Sequence, residues 1–343
     1  MQARAPAKAI LSGEHAVVYG MPALALALPL YATVRLGPGS DPRCVELVLS
    51  DVNHQILLDP SCFSVFQFAC EQRYQQFLDG DRAIETVLPN PSDLYHYALS
   101  LWCDAAVSAT SSMATSLAGV RIELSSSIAI GSGMGSSAAT VVALLAGIAG
   151  RAGQVLSTEQ LVELSTRCER MQHGRSSGLD PAICSRGGLI QFQKGVAGVL
   201  PAKLDAHWYR VDSGRPQATT GSCTSWVKQR FGSSAVWSEF ADVTRQLARA
   251  LPAQDAELIL DSLRHNHQLL CKIGVVPESV QQFVKSVERR GGAAKISGAG
   301  AVSGDQGGMI LVYMPEGAVE TTDSWNYSWQ ALEVDPYGAQ FRN

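Results

Sequence analysis

The sequence predicts an α+β fold, in which strands and helices follow one another without the strict βα alternation of a doubly wound sheet. Hydrophobic residues make up 46% and charged residues 17% of the 343 residues, a composition typical of a folded protein with a large core. The length suits two domains of roughly 150 residues each. Because residues 195–203 are rich in Gly and Ala, we place the junction there, between domains 1–200 and 201–343.

The first half of the chain carries clear strand and helix patterns. Apolar runs predict strands around residues 7–11, 30–36, 45–49, 55–58 and 120–125, and helical spacing predicts helices over residues 63–78, 95–108, 138–150 and 158–173. The helix at 138–150 is apolar on all sides, which predicts that it is buried. Ser157 and the residues after it have the pattern of a helix N-cap.

From residue 187 onward the pattern is again mixed. Residues 187–192 predict a turn leading into a strand, and further strands are expected at 208–212, 293–297, 309–313 and 329–334. Helices are expected over 225–250, 255–273 and 277–290. The last two strands before the tail flank a Gly-rich loop.

Charge and cysteine usage exclude several classes of protein. The net charge is 27 − 31 = −4 and is spread along the chain, so no basic surface for nucleic acid or an anionic membrane is expected. The eight cysteines show no CxxC spacing and predict buried thiols in a reducing compartment. No apolar run approaches the ~20 residues of a membrane span, and no N-terminal signal is visible, so we expect a cytoplasmic protein.

A glycine-rich loop directly precedes the apolar helix. It reads Gly131-Ser132-Gly133-Met134-Gly135-Ser136-Ser137-Ala138. Glycines let the backbone approach a ligand, and the free N–H groups of a helix N-terminus attract anions. The two serines are expected to cap the helix and to offer hydroxyls to phosphate or magnesium. The loop lacks the Lys of a Walker A motif and the acidic partner of a Rossmann fold, so a tight strand–helix turn is the alternative.

Three other segments carry candidate chemistry. Glu169, near a helix end, and Asp180, after a Gly/Ser turn, could converge to hold Mg²⁺ and orient an alcohol. Lys8 could point from the first strand into a cleft and stabilise an anion. The glycines of segment 298–300 could approach a phosphate. In isolation, each pattern also fits a surface or turn position.

Together these four segments resemble the GHMP kinase family, which includes galactokinases, homoserine kinases, mevalonate kinases and phosphomevalonate kinases. The similarity covers most of the chain and keeps the family's motif order. Segment 5–20, Ala-Pro-Ala-Lys-Ala-Ile-Leu-Ser-Gly-Glu-His-Ala-Val-Val-Tyr-Gly, is most similar to the first motif of the mevalonate kinases within this family. Lys8 and His15 carry that similarity, because diphosphomevalonate decarboxylases lack the Lys and phosphomevalonate kinases more often have Gly-Glu-Tyr. Galactokinases share Gly-Glu-His but usually continue with Thr-Asp-Tyr.

The resemblance implies a two-lobed α+β fold, with a ribosomal protein S5 domain 2-like N-terminal lobe, a ferredoxin-like C-terminal lobe and the site between them. It implies that Asp180 acts on the attacked hydroxyl as base or orienting group, paired with Lys8. Glu169 and Ser137 would hold Mg²⁺. The residues implied to bind ATP are Gly131, Gly133, Met134, Gly135, Ser136, Ser137 and Ala138. The residues implied on the substrate side are Glu14, His15, Thr219, Gly298 and Ala299.

The implied activity is ATP-dependent phosphorylation of the C5 hydroxyl of mevalonate, with Mg²⁺, ATP and mevalonate as the small-molecule partners and a homodimer as one option for assembly. Two features differ from the family pattern: Gly298-Ala299-Gly300 is followed by Ala301-Val302-Ser303-Gly304-Asp305, and segment 213–219 also suits phosphomevalonate kinases. Phosphomevalonate therefore stays an alternative acceptor. A metabolite-binding regulator without turnover is the third alternative, disfavoured by the presence of Lys8, Glu169 and Asp180.

Overall fold

The computed structural model describes residues 1–107, 117–129, 131–317 and 327–342. Ser108, the expected end of the second helix, and Ile130, just ahead of the glycine-rich loop, lie outside the described residues. The strands in this part of the chain are β1 (Gln2–Ser12), β2 (Ala23–Pro38), β3 (Val45–Leu49), β4 (His54–Leu58), β5 (Val120–Ser126), β6 (Leu189–Gln193), β7 (Val196–Val199), β8 (Trp208–Asp212), β9 (Ala293–Ile296), β10 (Met309–Tyr313), β11 (Trp329–Ala331) and β12 (Gln340–Arg342).

The helices in the same residues are α1 (Phe63–Asp79), α2 (Asp93–Val107), α3 (Ser136–Arg151), α4 (Thr158–His173), α5 (Leu179–Arg186), α6 (Thr220–Phe231), α7 (Val236–Ala253), α8 (Ala256–Lys272) and α9 (Glu278–Glu288). Helix α4 begins as expected, because the Ser157 side chain accepts from the Gln160 N–H and the Gln160 side chain accepts from the Ser157 N–H. The α+β prediction is confirmed by two sheets with helices packed against them.

The larger sheet runs in the order β12-β1-β2-β5-β3-β4, with β6 and β7 extending from β2. Its pairs are antiparallel except for β3 and β5. Helix α3 packs across β1 and β2, and its interior residues are buried as expected for a helix that is apolar on all sides. Strand β1 is therefore covered on both faces, which places Lys8 in the core beside the end of α3.

The smaller sheet is antiparallel, in the order β11-β8-β10-β9. Numbered within this unit, its strands run fourth, first, third, second, which is the order of a ferredoxin-like sheet. Helices α8 and α9 pack against β9. The outermost strand of the larger sheet, β12, pairs with β1, so the chain returns to the first sheet after building the second. The domain division at residue 200 stays a prediction.

Two local expectations were wrong. The single helix expected over 225–250 is broken into α6 and α7. The break follows Gly232, where the Trp237 indole donates to the Phe231 carbonyl at 2.8 Å and the Ser234 hydroxyl accepts from the Val236 N–H. These bonds satisfy backbone groups that a continuous helix would pair internally.

The segment around Asp180 forms a short helix, α5, where the sequence suggested only a turn. None of the helices in the described part of the chain combines the length and apolarity that a membrane crossing requires.

Candidate functional site

A cavity of about 780 Å³ lies between the two sheets, and we refer to it as the main cavity. The larger sheet's side contributes loop 131–137, the ends of α4 and α5 nearest the loop, and Lys8 from β1. The smaller sheet's side contributes segments 215–220 and 299–300. Residues from all four segments singled out in the sequence therefore line one cavity.

Two small pockets continue from the main cavity. An inner pocket of about 90 Å³ shares Lys8, Glu169 and Asp180 with the main cavity. An outer pocket of about 70 Å³ adjoins the inner pocket and shares Arg175 with it. The far end of the main cavity, formed by Leu49, Val52, Pro91, Leu94 and Tyr95, is mostly apolar. These last residues were not anticipated from the sequence, because no motif marks them.

The glycine-rich loop is held by a close backbone crossing. A Cβ on Gly133 would lie 2.7 Å from the Ser297 carbonyl oxygen, and a Cβ on Gly298 would lie 2.9 Å from the Gly133 carbonyl oxygen. Both glycines have positive φ, at 80° and 102°, so two requirements select glycine at each position. The Met309 N–H also donates to the Ser132 carbonyl at 3.1 Å. The loop is thereby fixed to the smaller sheet.

The N-terminus of α3 opens into the main cavity without a side-chain cap. Its N-cap is Gly135, with φ 71°, and no side chain accepts a hydrogen bond there. The expectation that Ser136 and Ser137 cap this helix is wrong, because both lie inside its first turn and Ser137 bonds elsewhere. The first N–H groups of the helix are left for a ligand, which is the arrangement that favours an anion.

Lys8 and Asp180 form an ion pair at the boundary of the main cavity and the inner pocket. The Lys8 Nζ lies 3.3 Å from the Asp180 Oδ2, and the lysine is 4% exposed while the aspartate is 27% exposed. The Lys8 N–H donates to the Met134 carbonyl at 3.0 Å, which ties the strand to the loop. A Cβ on Gly135 would lie 2.8 Å from the Lys8 Cγ, so glycine at this position leaves the room that Lys8 occupies.

Ser137, Glu169 and His173 form a second polar group on the wall of the main cavity. The Ser137 hydroxyl donates to the Glu169 Oε1 at 2.6 Å, and the His173 Nε2 lies 3.8 Å from the same oxygen. Burial raises the pKa of Glu169; His173 acts against that shift, and Asp180 adds to it. No group of three or more His, Cys, Asp or Glu side chains suited to a metal occurs among the described residues. A hydroxyl and a carboxylate facing phosphates are nevertheless the donors that Mg²⁺ uses in such sites.

Glu14 is buried beneath the site, where it pairs with Lys295 of β9. The Lys295 ammonium also donates to the Ile10 carbonyl at 2.9 Å, and the Asn266 amide donates to the Glu14 Oε2 at 3.3 Å. The Ser12 hydroxyl extends this network to Asn266 at 2.8 Å. The assignment of Glu14 to the substrate side stays a prediction: the residue lines the inner pocket, and its carboxylate is engaged with Lys295 and Asn266. Lys295 was overlooked, although a charged residue inside an apolar strand requires a buried partner.

His15 lies in the wall of the inner pocket. Its Nε2–H donates to the Ala299 carbonyl at 3.0 Å, and burial lowers the pKa of the imidazole, against the effects of that bond and of Glu14. Gly298 and Ala299 border the same pocket. Thr219 is the exposed N-cap of α6 and lines the main cavity but not the inner pocket, whereas its neighbour Thr220 lines both.

Two arginines at the site were not identified from the sequence. Arg215 lines the main cavity opposite the loop, with its Nε 3.1 Å from where a Cβ on Gly131 would lie. Arg175 lines the inner and outer pockets. Neither forms an ion pair within the described residues. Arg175 could have been recognised in the sequence as a candidate site residue, because it lies in the turn that leads to Asp180.

Comparison with known proteins agrees with this geometry. Residues 100–188 match the family model of the GHMP kinases N terminal domain. The chain is similar to the GHMP kinases over this segment. The mevalonate kinase of Thermococcus sibiricus is 28% identical to this kinase over 327 residues, which cover 92% of the chain and 89% of that relative.

Solved structures show the same fold. The Methanococcus jannaschii mevalonate kinase has a TM-score of 0.69 at 20% identity, covering 92% of this chain and 91% of that one. The Streptococcus pneumoniae phosphomevalonate kinase, solved in complex with phosphomevalonate and AMPPNP, has a TM-score of 0.73 at 16% identity, covering 98% and 100%. The resemblance drawn from the motifs is confirmed, and with it the two-lobed fold and the kinase class.

Proposed function

We propose that this kinase transfers the γ-phosphoryl group of ATP to the C5 hydroxyl of mevalonate, giving 5-phosphomevalonate and ADP. The observation that carries the proposal is the Lys8–Asp180 pair, which lies where the main cavity meets the inner pocket. A nucleotide tail in the former and a small alcohol in the latter would meet at these two side chains. Relatives named mevalonate kinase that align over most of the chain support the choice of acceptor.

The main cavity suits the nucleotide. The uncapped N-terminus of α3 and the backbone of loop 131–137 would bind the phosphates, because N–H groups and the helix dipole favour negative charge. Arg215 would add a permanent positive charge from the opposite wall. The apolar end of the cavity, near Leu94 and Tyr95, would receive the base.

Ser137 and Glu169 fit a magnesium ion, since their oxygens lie together on the wall that the phosphates would face. When bound, Mg²⁺ neutralises charge on the phosphate oxygens. Burial raises the pKa of Glu169, and a cation bound beside the carboxylate would favour its ionised form.

The chemical step then uses the ion pair. The acceptor hydroxyl oxygen attacks the γ-phosphorus, the bond from that phosphorus to the bridging oxygen of ADP breaks, and the hydroxyl proton passes to the Asp180 carboxylate. Lys8 orients Asp180 and offsets negative charge near the attacking oxygen. Because both groups are held by the backbone of β1 and α5, the geometry is set before the substrates bind.

Mevalonate fits the inner pocket better than phosphomevalonate does. Apart from His15 and His173, the cationic side chains that line this pocket in the described residues are Lys8, which Asp180 engages, and Arg175. One unpaired cation matches one carboxylate, whereas a phosphorylated acceptor needs further basic groups. The pocket therefore supports a monoanionic acceptor.

An acceptor panel tests the proposal. Purified protein with Mg-ATP is offered mevalonate, phosphomevalonate, galactose and homoserine, and ADP release is coupled to a spectroscopic readout. We expect the highest kcat/KM with mevalonate. A higher value with phosphomevalonate would replace the acceptor, and the absence of turnover with every acceptor would favour a binding regulator instead.

A further inference from the structure

The three cavities adjoin one another, and His173 borders all of them. Lys8, Glu169 and Asp180 border the main cavity and the inner pocket, while Arg175, Val18 and Thr224 border the inner and outer pockets. Asp180 thus marks the inner pocket's end toward the phosphates. Arg175 borders the inner pocket but not the main cavity.

The turn before α5 fixes the spacing of these two residues. The Gly178 N–H donates to the Ser176 hydroxyl at 3.1 Å, and the Leu179 N–H donates to the Ser177 hydroxyl at 3.2 Å. The Tyr74 hydroxyl donates to the Gly174 carbonyl at 3.0 Å and anchors the start of the turn. Arg175 and Asp180 are therefore carried by one rigid segment.

The other cationic groups at the inner pocket have partners or lack charge. Lys8 pairs with Asp180. The pKa of His15 is lowered by burial, and its Nε2–H is used by the Ala299 carbonyl. His173 lies beside Glu169. Arg175 alone combines a permanent charge with the absence of an ion pair to the described residues.

Aliphatic side chains form part of the inner pocket's wall, beside the polar side chains of Glu14, Ser176, Ser177, Thr220 and Thr224. Ile10, Val17, Val18 and Leu179 line the inner pocket. Such side chains suit an aliphatic body, with its reactive hydroxyl at Asp180 and an anionic group at Arg175. A short hydroxy acid has this distribution of groups.

We propose that Arg175 binds the carboxylate of the acceptor and is the specificity-determining residue of this kinase. The inference rests on the proposed function, since it takes the inner pocket as the acceptor site. The guanidinium would form charge-assisted hydrogen bonds to the carboxylate. It would thereby hold the far end of the molecule while the hydroxyl faces Asp180.

Two acceptors and three variants test it. The acceptors are mevalonate and the uncharged triol in which its carboxylate is reduced to an alcohol. The variants are Arg175→Gln, Arg175→Lys, and Lys228→Gln as matched control, since Lys228 is an exposed cation that lines the outer pocket but not the inner one.

For Arg175→Gln we expect kcat/KM with mevalonate to fall by roughly 10- to 100-fold, the effect of losing a hydrogen bond to a charged group. We expect kcat/KM with the triol and the KM for ATP to stay within about twofold of wild type. Arg175→Lys should recover part of the loss, and Lys228→Gln should behave as wild type.

Equal losses with both acceptors in Arg175→Gln would show a merely structural role and overturn the inference. So would an unchanged mevalonate activity, or a larger loss in Lys228→Gln. Failure of the proposed function has a different signature, because the wild-type enzyme would then fail to prefer mevalonate in the acceptor panel.

Discussion

Two lysine–carboxylate pairs near strand β1 are chemically alike but differ in exposure. In the Glu14–Lys295 pair the side chains are 1% and 0% exposed, and we refer to it as the sealed pair. In the Lys8–Asp180 pair they are 4% and 27% exposed, and we refer to it as the open pair. The sealed pair is enclosed between β1 and β9, and the open pair faces two cavities.

The difference separates a structural use of the pair from a reactive one. The sealed pair has further partners, the Ile10 carbonyl and the Asn266 amide, so its charges are satisfied within the protein, although Glu14 also borders the inner pocket. The open pair has a lysine fixed in the core and a carboxylate that solvent and ligands reach. Removing one partner of a buried pair is strongly destabilising, because the other charge is left buried without a counter-charge. An accessible carboxylate, by contrast, can exchange a proton.

Asp180→Asn should have the largest effect of these variants, and the effect should be on activity and not on stability. An amide cannot accept the hydroxyl proton, so we expect kcat to fall on the order of 10³- to 10⁴-fold, with the urea midpoint of unfolding close to wild type. Steady-state kinetics and urea titration give both quantities. Asp212→Asn, an exposed site on β8, is the control. Turnover near the wild-type value in Asp180→Asn would remove the proposed mechanism.

Lys295→Met should act on stability instead. It leaves the Glu14 carboxylate buried without its cation, which lowers the free energy of unfolding by about 3–5 kcal/mol. Combining it with Glu14→Leu should restore much of the loss, because both charges are then gone. Lys285→Met, at an exposed position on α9, should change little. If the single variant unfolds at the wild-type urea concentration, the sealed pair has no structural role.

Acid should destabilise the fold through His267 of α8, whose pKa is lowered in part by the charge of Lys295 of the sealed pair. Burial, together with smaller effects of the Lys295 and Lys285 charges, lowers the pKa of His267 to about 4. Between about pH 4 and 6.5 the unfolded chain binds a proton that the folded chain does not, so stability falls as the pH is lowered through this window, by about 3 kcal/mol for this site. Urea unfolding over that range measures it. His267→Gln should flatten the curve, and an equally steep curve in that variant would contradict the assignment.

Gly135→Ala should have the smallest effect of these variants, and it should act through the Lys8 side chain of the open pair. A Cβ there would press on the Lys8 side chain at 2.8 Å, whereas Gly153, with the same φ of 71°, has no neighbour within 4 Å. Both alanine variants carry a similar backbone strain of about 1–2 kcal/mol. Only Gly135→Ala should also lower kcat, on the order of tenfold to a hundredfold. Equal kcat values in the two variants would show that Lys8 tolerates the displacement.

Local patterns predicted most of the elements. The strands at 45–49 and 208–212 and the helix at 158–173 appear with the expected bounds, because periodicity and a cap decide them within a few residues. Strand β12 was missed because three residues acquire their structure by pairing with β1, more than 300 positions away. The helix break after Gly232 was missed because the apolar spacing continues across it.

The site was less accessible to such reasoning. The contact of Lys8 with Asp180 joins two elements far apart in sequence, and only the family resemblance indicated it. The serines of the loop were expected to cap α3, but the fold uses Ser137 to bond Glu169 instead. Lys295 is a charged residue inside an apolar strand, and Arg175 is a cation in the turn that leads to Asp180. Both features are visible in the sequence, but residue spacing alone does not distinguish them from ordinary surface residues.

Because Gly133 and Gly298 lie in close contact, the glycine-rich loop depends on both sheets for its shape. The family-matched segment 100–188 contains the loop and its helix. It lacks the ends of β9 and β10 that contact the loop. Excised from the remainder, it would lack the contacts from Ser297 and Met309 that shape the loop. We therefore expect the proposed nucleotide site to form only when both halves have folded onto each other, so that a fragment ending near residue 200 lacks it.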